Sequence, residues 1–166
     1  MRAAVALRVD EADPVSAIEI RDGWPAPEPG DRVAGRVRVR LAATTVNMHD
    51  LWALRGVGVR RDSFPRVLGC DITGWDDDGN EVLVTGSFAD PDAGGGDETF
   101  DPARALVSED RPGSFAEYTL VPARNVVAKP KWLSFHQAAC LNVSWSSTYR
   151  MLFTRGHAQP GERVLI

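Results

Sequence analysis

The stretch GRVRVRLAATTVNMHDLWALRG, residues 35–56, contains the change of period that decides the fold. Over residues 36–41 arginine alternates with valine and leucine, which is the two-residue period of a half-buried strand. After Val46 apolar residues recur at three- and four-residue intervals, which predicts a short helix that ends at Gly56. These helical residues are Met48, Leu51, Trp52 and Leu54. A strand therefore runs into a short helix, and the arginines are most simply the solvated face of that strand.

The bulk composition favours a single globular domain that acts on small molecules or proteins. The chain has 166 residues, 43% of them hydrophobic, and a formal net charge of -4. Lysine and arginine are spread along the chain and interrupted by acids, so a nucleic-acid footprint is not expected. Without a long apolar run or a secretory signal, we expect a cytoplasmic protein that does not enter the membrane. Cys70 and Cys140 are expected to be reduced, with Cys140 in the core.

The rest of the chain indicates short strands first and helices only at the end. Residues 78–80 predict a hairpin tip, and the acids at 76–78 are interpreted as part of that tip in preference to a cation site. Residues 88–111 are polar and rich in glycine, which predicts a long surface excursion. The remaining predicted elements are strands within 114–121 and 125–130, a helix beginning at a Ser134/Gln137 capping box, and a helical stretch over 146–155.

Six segments, in this order, resemble the N-terminal catalytic domain of the medium-chain dehydrogenase/reductase superfamily. The segments are MRAAV (1–5), the strand into VNMHDL (46–51), PRVLGCDITG (65–74), GSFAEYTLVPARNVVAKP (113–130), LSFHQAACLNVSWSSTYRML (133–152) and PGERVLI (160–166). Each is weak alone, but their order and spacing are similar to those of zinc-binding alcohol dehydrogenases and quinone oxidoreductases.

The resemblance implies a mainly β (α+β) fold, a GroES-like, partly open β-barrel with short helices. It assigns residues 1–166 to the substrate-side catalytic domain, with 163–166 starting the first strand of a nucleotide-binding domain toward which the C-terminal helices lead. In the family a glycine-rich dinucleotide fingerprint follows that strand, so we expect it beyond Ile166. We therefore expect this chain to be a fragment or a truncated form that binds a nicotinamide cofactor poorly and is inactive by itself.

The residues that match the family's zinc ligands do not form a zinc site. Zinc-dependent members use a cysteine, a histidine and a later cysteine or aspartate, and the matching positions here are Asn47, Cys70 and Val143. Catalytic zinc needs three nitrogen, sulfur or oxygen ligands, and Cys70 with its neighbour Asp71 falls short of that count. The family's structural-zinc lobe would fall in residues 89–112, which contain no cysteine. No zinc is expected.

Zinc-free members often carry an Asn-x-x-Asp corner like Asn47–Asp50, and the resemblance implies roles for its residues. Asn47 would bind the nicotinamide ribose or the substrate carbonyl, Met48 would contact the cofactor, and Asp50 would brace the corner. The alternative is that Asn47 and Asp50 merely cap the helix. His49 is a candidate proton donor, because imidazole is a capable acid near neutral pH, or else a partly exposed helix residue.

Further positions are assigned by the same resemblance. Ser147 matches a hydroxyl residue that faces the nicotinamide ring, and Trp52 and Asp71 are expected to line the substrate pocket. Arg150 either faces the cofactor cleft or lies on a solvated surface. His136 and His157 have no partner motif and are interpreted as surface residues.

The reaction implied is hydride transfer from NADP(H), preferred over NAD(H), to a polarised C=C or C=O bond of a quinone, enone or aldehyde. One alternative is an alcohol dehydrogenase-like carbonyl reductase, which the missing zinc disfavours. Another is a non-catalytic β-barrel module that binds a protein partner or forms a homodimer.

Overall fold

The computed structural model describes residues 1–28, 35–90 and 92–165. Its strands are β1 (Ala3–Ala6), β2 (Ile18–Arg21), β3 (Arg36–Ala43), β4 (Arg66–Val67), β5 (Ile72–Asp76), β6 (Glu81–Val84), β7 (Ser87–Phe88), β8 (Ala105–Leu106), β9 (Tyr118–Pro122) and β10 (Val126–Ala128). Its α-helices are α1 (Met48–Leu54), α2 (Phe135–Ala139) and α3 (Ser146–Tyr149). Among the described residues no helix combines the length and the apolar character needed to cross a membrane.

The strands form antiparallel sheets that confirm the mainly β, partly open architecture. The main sheet has the order β10-β6-β5-β3-β9, a second has the order β2-β1-β4, and β7 pairs with β8. β10 and β9 are different strands at the two edges of the main sheet, so that sheet is not closed within the described part of the chain. β3 is central because it pairs with β5 on one side and β9 on the other.

The alternation over residues 36–41 is confirmed as a strand with one core face. Val39 is fully buried in β3, where it packs in a cluster with Ile72, Val84 and Val121. Arg38 and Arg40 lie on the opposite face, over the rings of Tyr118 and Trp75 respectively. Those arginines therefore cover aromatic surface while their charged ends stay near solvent.

The predicted hairpin between β5 and β6 is present, and its acids hold the turn. Asp76 Oδ1 accepts hydrogen bonds from the backbone N–H groups of Asp78, at 3.0 Å, and Asn80, at 2.8 Å. Asp77 forms an ion pair of 2.6 Å with Arg38. Asp76 and Asp77 therefore have structural roles in the turn and on the strand beside it.

The prediction of a surface excursion over residues 88–111 is wrong at its two ends. Phe88 is 5% exposed and Val107 is fully buried, and both belong to the main core cluster. β7 and β8 fold back on each other, and Val107 N–H donates to Gly86 O at 3.0 Å. The polar composition between these ends gave no signal for the two short strands or for their core residues, Phe88 in β7 and Val107 directly after β8.

The C-terminal helical region is longer than its two predicted stretches. The Ser134/Gln137 capping box starts α2 as predicted, and π-helical turns at Leu141–Trp145 and Arg150–Arg155 flank α3. Cys140 is exposed, which corrects its predicted core position, because α2 turns Ala138 and Ala139 toward the sheet instead. Residues 163–165 have no regular secondary structure, and Ile166 lies outside the described residues, so the expected strand at 163–166 stays a prediction.

An ion-pair cluster fastens this helical region to the 92–104 segment. Asp97 accepts from Arg150 at 2.6 Å and from Arg155 at 2.8 Å. The Thr99 hydroxyl also donates to Asp97, and together with Arg150 it lowers the pKa of Asp97 to about 2. Arg150 is therefore held by a carboxylate of its own chain.

This cluster predicts a sensitivity to acid. Because the pKa of Asp97 is lower in the folded protein than its unfolded value of 3.8, the ion pairs stabilise the fold above that value. Their contribution is lost as the pH falls toward about 2. We expect Asp97→Asn to flatten the fall in melting temperature across this range, measured by circular dichroism, with a small effect because the cluster is partly solvated. Arg150→Gln should act in the same direction, and unchanged slopes in both variants would contradict the assignment.

Candidate functional site

The candidate site lies where β3 leads into α1, and a buried carboxylate braces this corner. Asp50 is 3% exposed. Its Oδ2 accepts from Asn47 N–H at 2.8 Å and its Oδ1 accepts from Gly69 N–H at 3.0 Å. Desolvation by burial raises the pKa of Asp50 above its usual value. Asp50 therefore ties the start of α1 to the loop between β4 and β5, which is the bracing position expected for it.

A second buried carboxylate, that of Asp71, accepts hydrogen bonds from residues that are distant in the sequence. Asp71 is 1% exposed. Its Oδ1 accepts from Val143 N–H at 3.0 Å, and its Oδ2 accepts from Asn47 Nδ2 at 2.8 Å and from the Thr45 hydroxyl. Asp71 thus joins the β3–α1 corner to the helical region. It stands behind Asn47, and the substrate-pocket role that the resemblance implies for it stays a prediction.

The Asn47 side chain connects this buried cluster to a more exposed residue. Asn47 is half-buried, and its Oδ1 lies 3.4 Å from the hydroxyl of Ser144, an exposed residue. Thr45 and Ser144 were not predicted, and no local pattern points to Ser144, because it is 97 residues away from Asn47. The corner is therefore a polar network assembled by tertiary contacts.

The donor set at the family's zinc-ligand positions does not fit zinc. The Cys70 side chain is fully buried, and its thiol donates to Val107 O at 3.2 Å. Burial raises the pKa of that thiol to about 12, whereas zinc binds the thiolate. Val143 contributes only its backbone N–H, and Asn47 contributes an amide. Within the described ranges no three His, Cys, Asp or Glu side chains are grouped as metal ligands.

The contrast between the two cysteines gives a direct test of the buried thiol. At about pH 8 we expect one equivalent of a disulfide reagent such as DTNB to react quickly, at exposed Cys140, and the second equivalent to react only after unfolding. Cys140→Ser should abolish the fast phase and leave the slow one. Rapid reaction of both thiols in the native protein would show that Cys70 is accessible as a thiolate.

A buried amide anchors the helical region beside this corner. Asn142 Oδ1 accepts from Gly86 N–H at 2.7 Å, and its Nδ2 donates to Cys70 O at 3.1 Å. It was not singled out from the sequence, although a lone amide in the apolar run AACLNV is a possible signal. Asn142 thereby holds the helical region in the position where the backbone N–H of the next residue, Val143, reaches Asp71.

The structure does not bring His49, Met48 or Trp52 into this network. His49 Nε2 is buried without a hydrogen-bond partner and lies 3.9 Å from Glu109 Oε1. Met48 is 62% exposed and Trp52 is 46% exposed. Trp52 has Arg55 near its ring, with 5.9 Å between the guanidinium carbon and the ring centroid. Trp52 is therefore not a core residue, and its accessible ring is compatible with a pocket wall.

Ser147 lines a cleft of about 810 Å³ between β6–β8 and the helical region, which Asn142 and Val143 also line. Leu83, Leu106 and Leu141 supply apolar walls, and Arg104 and Arg150 also line it. Ser147 is exposed there, one helical turn beyond Val143. His136 and His157 are exposed, as predicted.

Comparison with known proteins places this fold and corner in a family. Residues 33–131 match the alcohol dehydrogenase GroES-like domain. The chain is 32% identical to a crotonyl-CoA carboxylase/reductase of Cereibacter sphaeroides over 78% of this chain and 35% of that protein. It is 26% identical to a quinone oxidoreductase of Pongo abelii over 97% of this chain and 44% of that protein.

The fold of the chain is also similar to that of a solved structure. The crystal structure of an NAD-dependent alcohol dehydrogenase superposes with a TM-score of 0.86 and 31% identity, covering 98% of this chain and 49% of that one. The chain thus spans about a third to a half of the length of these relatives. The match over 33–131 and the shared architecture establish that the chain belongs to the alcohol dehydrogenase GroES-like domain family of the medium-chain dehydrogenase/reductase superfamily.

Proposed function

We propose that the chain is the substrate-side domain of a zinc-independent, nicotinamide-dependent oxidoreductase that reduces a polarised C=C or C=O bond. The observation that carries this proposal is the donor set at the zinc-ligand positions, an amide at Asn47, a buried thiol at Cys70 that donates to Val107 O, and an aliphatic side chain at Val143. The names of the similar proteins, a reductase, an oxidoreductase and an NAD-dependent dehydrogenase, support redox chemistry.

The substrate class follows from what these residues can do. With no metal ligand set, polarisation of the acceptor depends on hydrogen bonds, which suits conjugated acceptors such as quinones and enones better than simple ketones. The bound nicotinamide would supply the hydride. Asn47 and Ser147 would orient the cofactor, with Met48 beside them and Trp52 walling the substrate side. We propose NADPH in preference to NADH, because zinc-free members of the family usually use it.

His49 is the proposed proton donor to the reduced substrate. Its imidazole lies two residues beyond Asn47 but turns its Nε2 toward Glu109, 3.9 Å away. The proposal therefore requires the ring to rotate toward a bound substrate. His49→Gln should then lower turnover and alter its pH profile while leaving cofactor affinity unchanged.

The exposed face of the helical region supports a second domain in the complete protein. Trp145 is 66% exposed, Tyr149 64%, Met151 63% and Phe153 50%. So many large apolar side chains on one helical region are typical of a covered surface. The same surface could instead form the interface of a non-catalytic module that dimerises. Light scattering of this chain at high concentration tests that alternative, since a clean monomer counts against dimerisation.

The test of the proposed function is turnover by the chain extended in frame by about 130 residues, the length of a typical domain. NADPH and NADH oxidation would be measured with a quinone, an enone and an aldehyde, before and after treatment with a chelator. We expect turnover that the chelator does not reduce, fastest with NADPH and a conjugated acceptor. Loss of activity on chelation and its recovery with zinc would overturn zinc independence.

A further inference from the structure

The Asn47 side chain has two ends of opposite hydrogen-bonding character, and its neighbours decide which end faces outward. Nδ2 is 2.8 Å from Asp71 Oδ2, and Asp71 also receives the Val143 N–H and the Thr45 hydroxyl. A carboxylate on which three donors converge is an acceptor only. The end of Asn47 that meets Asp71 must therefore be the NH₂ group, so the amide orientation is fixed by chemistry.

Thr45 strengthens the same orientation. Its hydroxyl proton is used on Asp71, so its oxygen is left to accept, and Asn47 Nδ2 lies 3.3 Å from it. Both protons of the Asn47 amide are thereby occupied inside the corner. The remaining atom is Oδ1, which lies 3.4 Å from the Ser144 hydroxyl and also belongs to the capping box that Asn47 forms with Asp50 at the start of α1. Ser144 is exposed and is free to turn away from Oδ1 when a ligand binds.

We propose that Asp71 is a positioning residue that holds Asn47 as a hydrogen-bond acceptor, so that this corner takes a ligand hydroxyl and rejects a ligand carbonyl. The inference rests on the proposed function and deepens it. Of the two partners expected for Asn47, a ribose hydroxyl of the nicotinamide nucleotide can donate to Oδ1, whereas a substrate carbonyl offers only a second acceptor. Asn47 therefore belongs to the cofactor side of the site, and polarisation of the substrate must come from other donors.

The orientation is testable in this chain without any cofactor. In a ¹⁵N-labelled sample, the Asn47 side-chain NH₂ signals, identified by their loss in Asn47→Asp, should exchange slowly with water and show contacts to the Thr45 methyl group. Asp71→Asn should abolish that protection while the melting temperature shows that the fold is kept. Fast exchange in the unmodified protein, or protection unchanged in Asp71→Asn, would overturn the inference.

A reciprocal exchange of the two side chains tests the consequence for binding. In Asp71→Asn, the new amide at position 71 is expected to turn Asn47 over and present its NH₂ group outward. The Kd for NADPH in the extended chain should then rise about 10- to 100-fold. Asn47→Asp alone places two carboxylates against each other and should also weaken binding. The double variant Asn47→Asp/Asp71→Asn restores an inward donor at position 71 and an outward acceptor at position 47, so its Kd should return to within a few-fold of the starting value.

The outcomes separate this inference from the proposed function. A double variant no better than the worse single variant, or an Asp71→Asn variant that binds NADPH normally, would refute the positioning role. If the unmodified extended chain does not bind NADPH, the proposed function fails, while the amide-exchange measurement still decides the orientation of Asn47. Asp62 is an exposed carboxylate paired with Arg60. Asp62→Asn is therefore the matched control and should leave Kd unchanged.

Discussion

Gly74→Ala is expected to prevent folding or to lower the free energy of unfolding by more than about 4 kcal/mol. A Cβ atom at position 74 would overlap the Arg40 carbonyl oxygen and lie 2.8 Å from its carbonyl carbon. Both are backbone atoms of the paired strand β3, so no side-chain rotation relieves the overlap. The position faces the register shift between Leu41 and Ala43, where β3 bends toward the Asn47 corner.

Urea denaturation followed by tryptophan fluorescence measures this effect. Gly79→Ala is the matched control, since a Cβ there meets nothing within 4 Å and only the backbone conformation, with φ of +83°, is unfavourable. That control should cost about 1 kcal/mol. A Gly74→Ala protein as stable as the control would mean that β3 and β5 are not paired this closely.

Asp50→Ala is expected to lower the free energy of unfolding by about 3 kcal/mol. The change removes the acceptor for two N–H groups, those of Asn47 and Gly69, and the Gly69 bond is buried. Asp50→Asn keeps one acceptor oxygen and should cost roughly half as much. The same denaturation experiment measures both variants. Equal and small losses would show that Asp50 does not brace the corner.

The strand and the helix around the corner were predictable because both are local patterns. The two-residue period of β3 and the three- to four-residue spacing of α1 are each visible within a few residues of Asn47. The capping box of α2 and the hairpin after β5 are likewise short-range signals. Hydrophobic periodicity does not identify a family or its functional positions. Those came from the resemblance of the six segments.

The contacts that define the candidate site could not be read from local patterns. Asp71 lies 72 residues from Val143 and 24 from Asn47, so the carboxylate's position behind the amide follows only from the tertiary fold. Cys140 was misplaced because the apolar run around it is not buried evenly; α2 packs its two alanines on the sheet and leaves the thiol outside. Val107 was missed because a single core residue leaves no periodic signal in a polar segment.

The most direct test of the central claim is calorimetric titration of NADPH into two proteins treated with a chelator, this chain and the chain extended in frame by about 130 residues. We expect binding by the longer protein, unaffected by added zinc, and weak or undetectable binding by the 166-residue chain. If neither protein binds a nicotinamide nucleotide, or if the longer one binds only with zinc present, the proposal of a zinc-independent oxidoreductase is contradicted.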